Sequence, residues 1–303
     1  MQKFIMLVGI SGSGKSTYSK LYTDISMEFK IHSSDALRAE LYGNESIKGN
    51  NNELFSELHK RIISDLTNGK SVIYDACNLS CKRRMAFLQS IKKIDCYKEC
   101  VVIATPYEQC LVNNCKRERK VPEDVIKRMY MSFCFPAYFE GWNNISIHYY
   151  NSLITGYKIK DLNILNTYDQ HNPNHTLTLG GHMKKCGDYV SSQINSRKEL
   201  DLAAYLHDIG KPFCQTYQNT KGETTEKAHY YCHENVGAYL AMFYLYNENC
   251  INSEIVEICT LIQNHMKPYF FEFEKTRKRY NDLFGDRLYN DIMLINKGDR
   301  VAH

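Results

Sequence analysis

The chain has 303 residues, 43% hydrophobic and 24% charged, with a formal charge of +4. That length accommodates two domains with separate cores, and the composition excludes a disordered or fibrous chain. The mild positive charge permits a polyanionic partner without demanding one, and no apolar run approaches the ~18 residues of a membrane-spanning helix.

In chain order, Met1 leads directly into a buried strand, Phe4–Val8, which argues against a cleaved signal peptide. A helix is expected from the following loop through Ser19. A second strand ends near Ile31, a third (Val72–Tyr74) ends in Asp75, a fourth covers Cys100–Ala104, and Ile145–Tyr149 is a candidate fifth. Helical periodicity fills the gaps, notably over Leu54–Leu66 and Pro122–Phe133. This alternation predicts an α/β domain, a parallel sheet with helices on both faces. The rhythm is lost over Asn151–Pro173, so the boundary is placed at residue 155, giving domains 1–155 and 156–303. Beyond it, helical periods dominate, as in Glu199–Leu206 and Asn235–Tyr246, and the second domain is expected to be all-α. The twelve cysteines are scattered without CxxC pairs, which suits free thiols in a cytoplasmic protein. Cys232, beside His233, has the most metal-like setting.

Gly9–Ser16 reads Gly-Ile-Ser-Gly-Ser-Gly-Lys-Ser, a complete P-loop following a strand and opening a helix. Its backbone N–H groups, with the helix N-terminus, suit phosphate oxygens. The expected nucleotide contacts are Gly9, Ser11, Gly12, Ser13, Gly14, Lys15, Ser16 and Thr17, with Asp75 at the carboxyl end of its strand, where α/β ligand sites collect. Lys15 should reach the β- and γ-phosphates of ATP or another NTP, and the Ser16 hydroxyl should hold Mg²⁺.

Three further segments follow in order: Ser34-Asp35-Ala36-Leu37-Arg38, then Tyr74-Asp75-Ala76-Cys77-Asn78-Leu79 with Lys82-Arg83-Arg84, then Lys116-Arg117-Glu118-Arg119-Lys120-Val121-Pro122. Together with the P-loop, they resemble the P-loop polynucleotide 5′-kinase family over residues 1 to about 150. The resemblance implies that Asp35 is the general base on an acceptor hydroxyl and that Arg38 grips the acceptor's phosphate. One helical turn puts the two on the same face. It also implies a lid whose arginine neutralises the transferring phosphoryl group; Arg117 aligns best with that role and Arg119 is its rival. The chain departs from the family at Cys77, where related kinases often carry Thr, and at Asn113, where a second lid arginine would stand.

Eight of the eleven histidines fall after residue 170. Asn172-Pro173, His175, His182, His207-Asp208 with Lys211-Pro212, His229, His233-Glu234, Asn264-His265 and Asp299 come in an order that resembles the HD phosphohydrolase superfamily, from about residue 160 to the end. The resemblance implies metal ligands at His182, His207, Asp208, His233, His265 and Asp299, with Asp208 bridging two ions. Imidazole and carboxylate donors suit one or two transition metals, Mn²⁺, Co²⁺, Ni²⁺ or Zn²⁺. His229, one turn before His233 on the same helix face, is expected to touch phosphate or support a ligand. His175 is expected to be structural. Lys211 lies where a helical turn would aim its ammonium at a metal-bound phosphate. The chain ends four residues after Asp299, an abrupt end for this fold, either natively short or clipped. The basic run Arg277-Lys278-Arg279 reads most simply as a solvated helix face.

A P-loop adds phosphate and an HD cluster removes it. The combination implies an enzyme that heals RNA or DNA ends, a 5′-hydroxyl kinase joined to a 3′-phosphatase or 2′,3′-cyclic phosphoesterase, with a ligase as possible partner in the same repair pathway and no membrane. The alternatives are the same two activities on a small metabolite or mononucleotide, or a nucleotide-switched interaction module whose cluster only binds a ligand.

Overall fold

The computed structural model describes residues 1–25, 28–47, 49–150, 156–173 and 175–303. The chain divides into two compact units, Met1–Leu153 and Ile154–His303. The boundary expected at residue 155 lies outside the described residues.

The first unit is built on five strands, β1 (Lys3–Val8), β2 (Phe29–Ser33), β3 (Ser71–Asp75), β4 (Tyr97–Ala104) and β5 (Asn144–Tyr149), all parallel in the order β2-β3-β1-β4-β5. Near-continuous apolar runs such as Phe4–Val8 and Cys100–Ala104 form the inner strands because both their faces are covered. The helices are α1 (Lys15–Ile25), α2 (Ser34–Tyr42), α3 (Asn51–Thr67), α4 (Cys81–Ser90), α5 (Tyr107–Cys115) and α6 (Glu123–Met131). On one face Ile5, Leu7, Ile73, Val101 and Ile103 form a core against which Tyr18 and Tyr22 of α1 pack. This packed stripe carries α1 well beyond the end expected at Ser19. On the other face Phe4 meets Phe87 of α4, with ring centroids 5.3 Å apart.

The chain leaves β1, adds β2 and β3 on one side, then crosses to β4 on the other. The loop after β1 therefore opens where the strand order reverses, the position at which α/β sheets bind ligands. The Ser33 hydroxyl caps α2 by accepting from the Ala36 N–H and so sets Asp35 in that helix's first turn.

In the second unit, α7 (Leu179–Ser191), α8 (Lys198–Leu206), α10 (His233–Asn247), α11 (Asn252–Asn264) and α13 (Asp286–Val301) surround a helical core; α9 (Lys211–Cys214) and α12 (Glu274–Phe284) complete the set. Helix α10 is buried on most of its circumference, Val236 to Tyr239 and Ala241 to Phe243, which makes it the central helix. The helical expectation has one addition, an antiparallel hairpin of β6 (Thr216–Gln218) and β7 (Thr224–His229). His229 therefore ends a strand and does not share a helix face with His233. Cys232, in the left-handed region at φ 65°, breaks the chain between them before α10 starts. No helix among the described residues is long and apolar enough to cross a membrane.

Candidate active sites

The loop between β1 and α1 turns through Gly12 (φ 82°) and Gly14 (φ 96°). A Cβ on Gly12 would sit 2.2 Å from the Cys110 carbonyl oxygen, so the loop passes too close to α5 for any side chain there. Its carbonyls are tied outward. Thr105 Oγ1 donates to Ser13 O (2.8 Å), Asn113 Nδ2 to Gly12 O (2.9 Å) and the Tyr150 hydroxyl to Gly14 O (3.0 Å). Sequence reasoning missed these three braces, which no local motif marks; Asn113 stands where a second lid arginine was sought. With these carbonyls held, the N–H groups of Gly12, Gly14 and Lys15 suit an anion, whereas those of Gly9 and Ser13 already donate to Cys77 O (3.1 Å) and Ile10 O (3.3 Å). The Ser13 hydroxyl, fully buried, has no hydrogen-bond partner among the described residues, which fits a loop shaped for phosphate oxygens. Lys15 Nζ donates to the carbonyls of Gly9 (3.0 Å) and Ile10 (2.8 Å).

Asp75 ends β3 beside this loop. Burial pushes its carboxyl up, against the nearby Lys15 and a hydrogen bond from Ser16. A carboxylate touching the Ser16 hydroxyl gives the hard oxygen donors that Mg²⁺ prefers. Asn78 Nδ2 donates to Leu7 O at 2.9 Å and so ties the segment after β3 to the end of β1.

The lid arginines converge on Asp35. Arg119 Nη1 lies 2.8 Å from Asp35 Oδ1, Arg117 Nη2 lies 3.7 Å from Oδ2, and Arg117 Nη1 also reaches Ser11 Oγ at 3.4 Å. The structure thus brings the P-loop, Asp35 and both lid candidates together, with Arg119 the nearer to Asp35. Arg38 shares α2 with Asp35 but is buried. Its Nη2 donates to Asn51 Oδ1 (3.0 Å) and its Nη1 to Ile47 O (3.5 Å), which braces the connection from α2 to α3. Of the paired arginines, Arg84 is fully buried and grips Glu140 bidentately at 2.8 and 2.6 Å.

In the second unit the six expected ligands come from five elements: His182 on α7, His207 and Asp208 in the turn ending α8, His233 opening α10, His265 closing α11 and Asp299 on α13. Gly210 lets that turn press against α10; a Cβ there would lie 2.2 Å from the His233 carbonyl oxygen. Two groups of donors form, His182, His207, Asp208 and Asp299, and then Asp208, His233 and His265, all buried. Asp208 belongs to both through different oxygens. Oδ2 lies 3.2 Å from His182 Nε2 and 3.3 Å from His207 Nε2, while Oδ1 lies 3.1 Å from His233 Nε2 and 3.7 Å from His265 Nε2. Asp299 Oδ1 closes the first group, 3.1 Å from His182 Nε2.

The opposite ring nitrogens are held by the backbone. Nδ1 of His207, His233 and His265 each lies 2.7 Å from a carbonyl three residues back, at Ala204, Tyr230 and Ile262, and His182 Nδ1 faces Ala302 O at 3.4 Å. Carbonyls only accept, so each Nδ1 carries a proton and each Nε2 is the ring nitrogen presented to the cluster, where it can serve a metal. The Tyr269 hydroxyl donates to Asp299 Oδ2 (2.8 Å).

The electrostatics favour a cation in this cluster. Burial opposes charge on both carboxylates, yet His207 and Lys211 hold Asp208 well below the usual carboxylate range. Hydrogen bonds from His182 and His207 do the same for Asp299. His207 is raised well above its ordinary value, burial notwithstanding, by Asp208, whereas burial with His207 and His233 nearby pushes His265 down to about 3. Converging imidazole nitrogens and ionised carboxylates fit divalent transition metals. Lys211 is buried in this wall, 2.7 Å from Asp208 Oδ2 and 2.8 Å from Gln170 Oε1, so its ammonium is engaged with the bridging carboxylate. His175, half-buried beside it, lies 3.4 Å from Lys211 Nζ.

Residues 4–136 match the family model of the AAA domain, and residues 174–293 that of the HD domain. L-seryl-tRNA(Sec) kinase of Methanococcus maripaludis is 30% identical over 185 residues, covering 58% of this chain and 68% of that protein. Among solved structures, a chain of the Pnkp1/Rnl/Hen1 RNA repair complex is 20% identical and shares 44% of each chain at a TM-score of 0.40. Another structure of the Pnkp1/Rnl/Hen1 complex is 23% identical, with 40% of this chain and 41% of that one covered at a TM-score of 0.35. A gluconokinase from Sinorhizobium meliloti is 13% identical, with 48% and 82% covered at 0.33. The chain spans less than half the length of the two RNA-repair chains it matches.

Proposed function

Since this chain belongs to the P-loop kinase family represented by that archaeal tRNA kinase and continues into an HD domain, we propose a bifunctional enzyme that heals nucleic-acid ends. The kinase half moves the γ-phosphate of ATP or another NTP to a 5′-hydroxyl. The HD half removes a 3′-phosphate, or opens and removes a 2′,3′-cyclic phosphate, and leaves ends that a ligase can join.

In the kinase half the braced P-loop and Lys15 hold the triphosphate, and Ser16 with Asp75 holds Mg²⁺. Asp35 accepts the proton of the attacking hydroxyl. Arg119 orients that carboxylate, while Arg117, between Ser11 and Asp35, faces the phosphoryl group in transit. In the HD half, divalent cations held by the cluster supply Lewis acidity toward a phosphoester. Asp208 keeps its two oxygens on separate positions, the four imidazoles present Nε2 to the cluster, and Lys211 balances the bridging carboxylate. The observation that carries the reading is this pairing of an acceptor carboxylate over a P-loop with a cluster bridged by Asp208, in one chain.

The test is incubation with ATP and an oligonucleotide bearing a 5′-hydroxyl and a 3′-phosphate, each end followed separately. Gain of a 5′-phosphate and loss of the 3′-phosphate are expected. Turnover of mononucleotides alone would favour a small-molecule substrate instead.

A second reading is favoured by Arg38. Because that arginine is buried and engaged with Asn51, the acceptor need not carry a phosphate beside its hydroxyl. A seryl group borne on tRNA, the acceptor named for the relative, meets that condition. Phosphorylation of seryl-tRNA in preference to a 5′-hydroxyl oligonucleotide would select it.

A further inference from the structure

Phe270 and Phe273 are 69% and 70% exposed, an unusual setting for two large rings three residues apart. They stand on the segment between His265 and α12. Between them Phe271 is buried, tilted against Tyr280 (4.8 Å between ring centroids) and stacked on Tyr289 (5.8 Å). Arg277 pins the same turn, donating from Nε to Phe271 O (3.0 Å) and from Nη2 to Glu272 O (3.2 Å). The backbone that carries both outward rings is therefore anchored before anything binds. The surroundings are basic: between residues 267 and 279 five Lys or Arg side chains face two Glu.

The segment is also wired to the metal cluster. Tyr269, next to Phe270, donates to Asp299 Oδ2 at 2.8 Å. The guanidinium of exposed Arg300 lies 5.0 Å from the Tyr269 ring centroid. A line of aromatic and cationic groups thus begins at a proposed ligand and runs outward over the surface.

We propose that Phe270 and Phe273, with Arg300 and the cations of α12, form a stacking platform for single-stranded nucleic acid whose phosphorylated end lies in the His/Asp cluster. The proposal rests on the reading of this unit as an end phosphatase. Rings take successive bases without regard to sequence, while cations track the phosphates. A protein partner would be drawn to the phenylalanines but has no need of so basic a rim. A nucleic acid uses both.

The test uses the full chain and a fluorescent single-stranded oligonucleotide, with binding by anisotropy and 3′-phosphate release measured separately. Phe270→Ala and Phe273→Ala should each weaken binding by on the order of 10-fold and raise KM for the oligonucleotide, with turnover of p-nitrophenyl phosphate unchanged. Phe270→Trp should restore binding. Lys278→Ala should lower the slope of log affinity against log salt by about 0.7. Unchanged oligonucleotide affinity in the alanine variants overturns the platform, even where 3′-phosphate release proceeds. Loss of self-association in those variants, with oligonucleotide affinity intact, assigns the rings to protein contact and also overturns it. Binding that depends on the rings in a protein that releases no 3′-phosphate keeps the platform and removes the phosphatase reading.

Discussion

At Asp208 one carboxylate serves two sets of imidazoles, Oδ2 toward His182 and His207, Oδ1 toward His233 and His265. Asp208→Ala should therefore empty both positions and abolish phosphate release, whereas His265→Ala should chiefly empty the second. Elemental analysis of the purified variants distinguishes them, since equal metal loss in both would contradict the bridging geometry. In the kinase half, Asp35→Asn keeps the shape of the side chain and removes the proton acceptor. A fall in kcat of roughly 10²–10⁴-fold is expected, with the Km for ATP nearly unchanged in steady-state assays.

Among the elements, the segment from Asp75 to α4 depends on a buried ion pair. Arg84 and Glu140 are essentially inaccessible, and Arg84 Nη1 also donates to the carbonyl of Asn78, whose side chain reaches β1. Glu140→Ala would leave a buried guanidinium unpaired and should destabilise the first unit by about 3–5 kcal/mol, measured by denaturant unfolding. The strands that build this unit were legible, because apolar runs bounded by Gly, Asp and Asn can hardly be anything else. The order of His182, His207-Asp208, His233, His265 and Asp299 likewise pointed to residues that meet in space. Other features were not legible. The spacing of His229 and His233 imitates a helical turn, and only the left-handed Cys232 between them separates strand from helix. The braces Thr105, Asn113 and Tyr150 act on the P-loop across 92, 101 and 136 residues, a distance over which periodicity carries no information. Burial of Arg38 is hidden for the same reason, since its partner Asn51 belongs to the next helix.

For the whole molecule, the two proposed chemistries draw on separate residues whose donors suit different classes of cation, hard oxygen donors at Ser16 and Asp75 and imidazole-rich donors at the Asp208 cluster. Lys15→Ala should silence phosphorylation and spare phosphate release, and Asp208→Ala should do the reverse. Phenanthroline should stop phosphate release while phosphorylation continues on Mg²⁺. Both ends of one labelled oligonucleotide report this in a single reaction. Loss of both activities in a folded Asp208→Ala protein would mean that the halves do not work independently.

Three of the four cluster histidines point Nδ1 at a carbonyl just three residues earlier in their own chain, Ala204, Tyr230 and Ile262. Their tautomers are thus decided by the local winding of the backbone and not by whatever ion arrives. Such a cluster should behave as a rigid socket. Stripped of metal, the protein should keep its circular dichroism spectrum, and on adding Mn²⁺ or Co²⁺ it should regain activity without a refolding lag. The ion could then be exchanged for another as supply dictates, and the identity of the metal found in the isolated protein would record the medium it came from more than a preference of the fold.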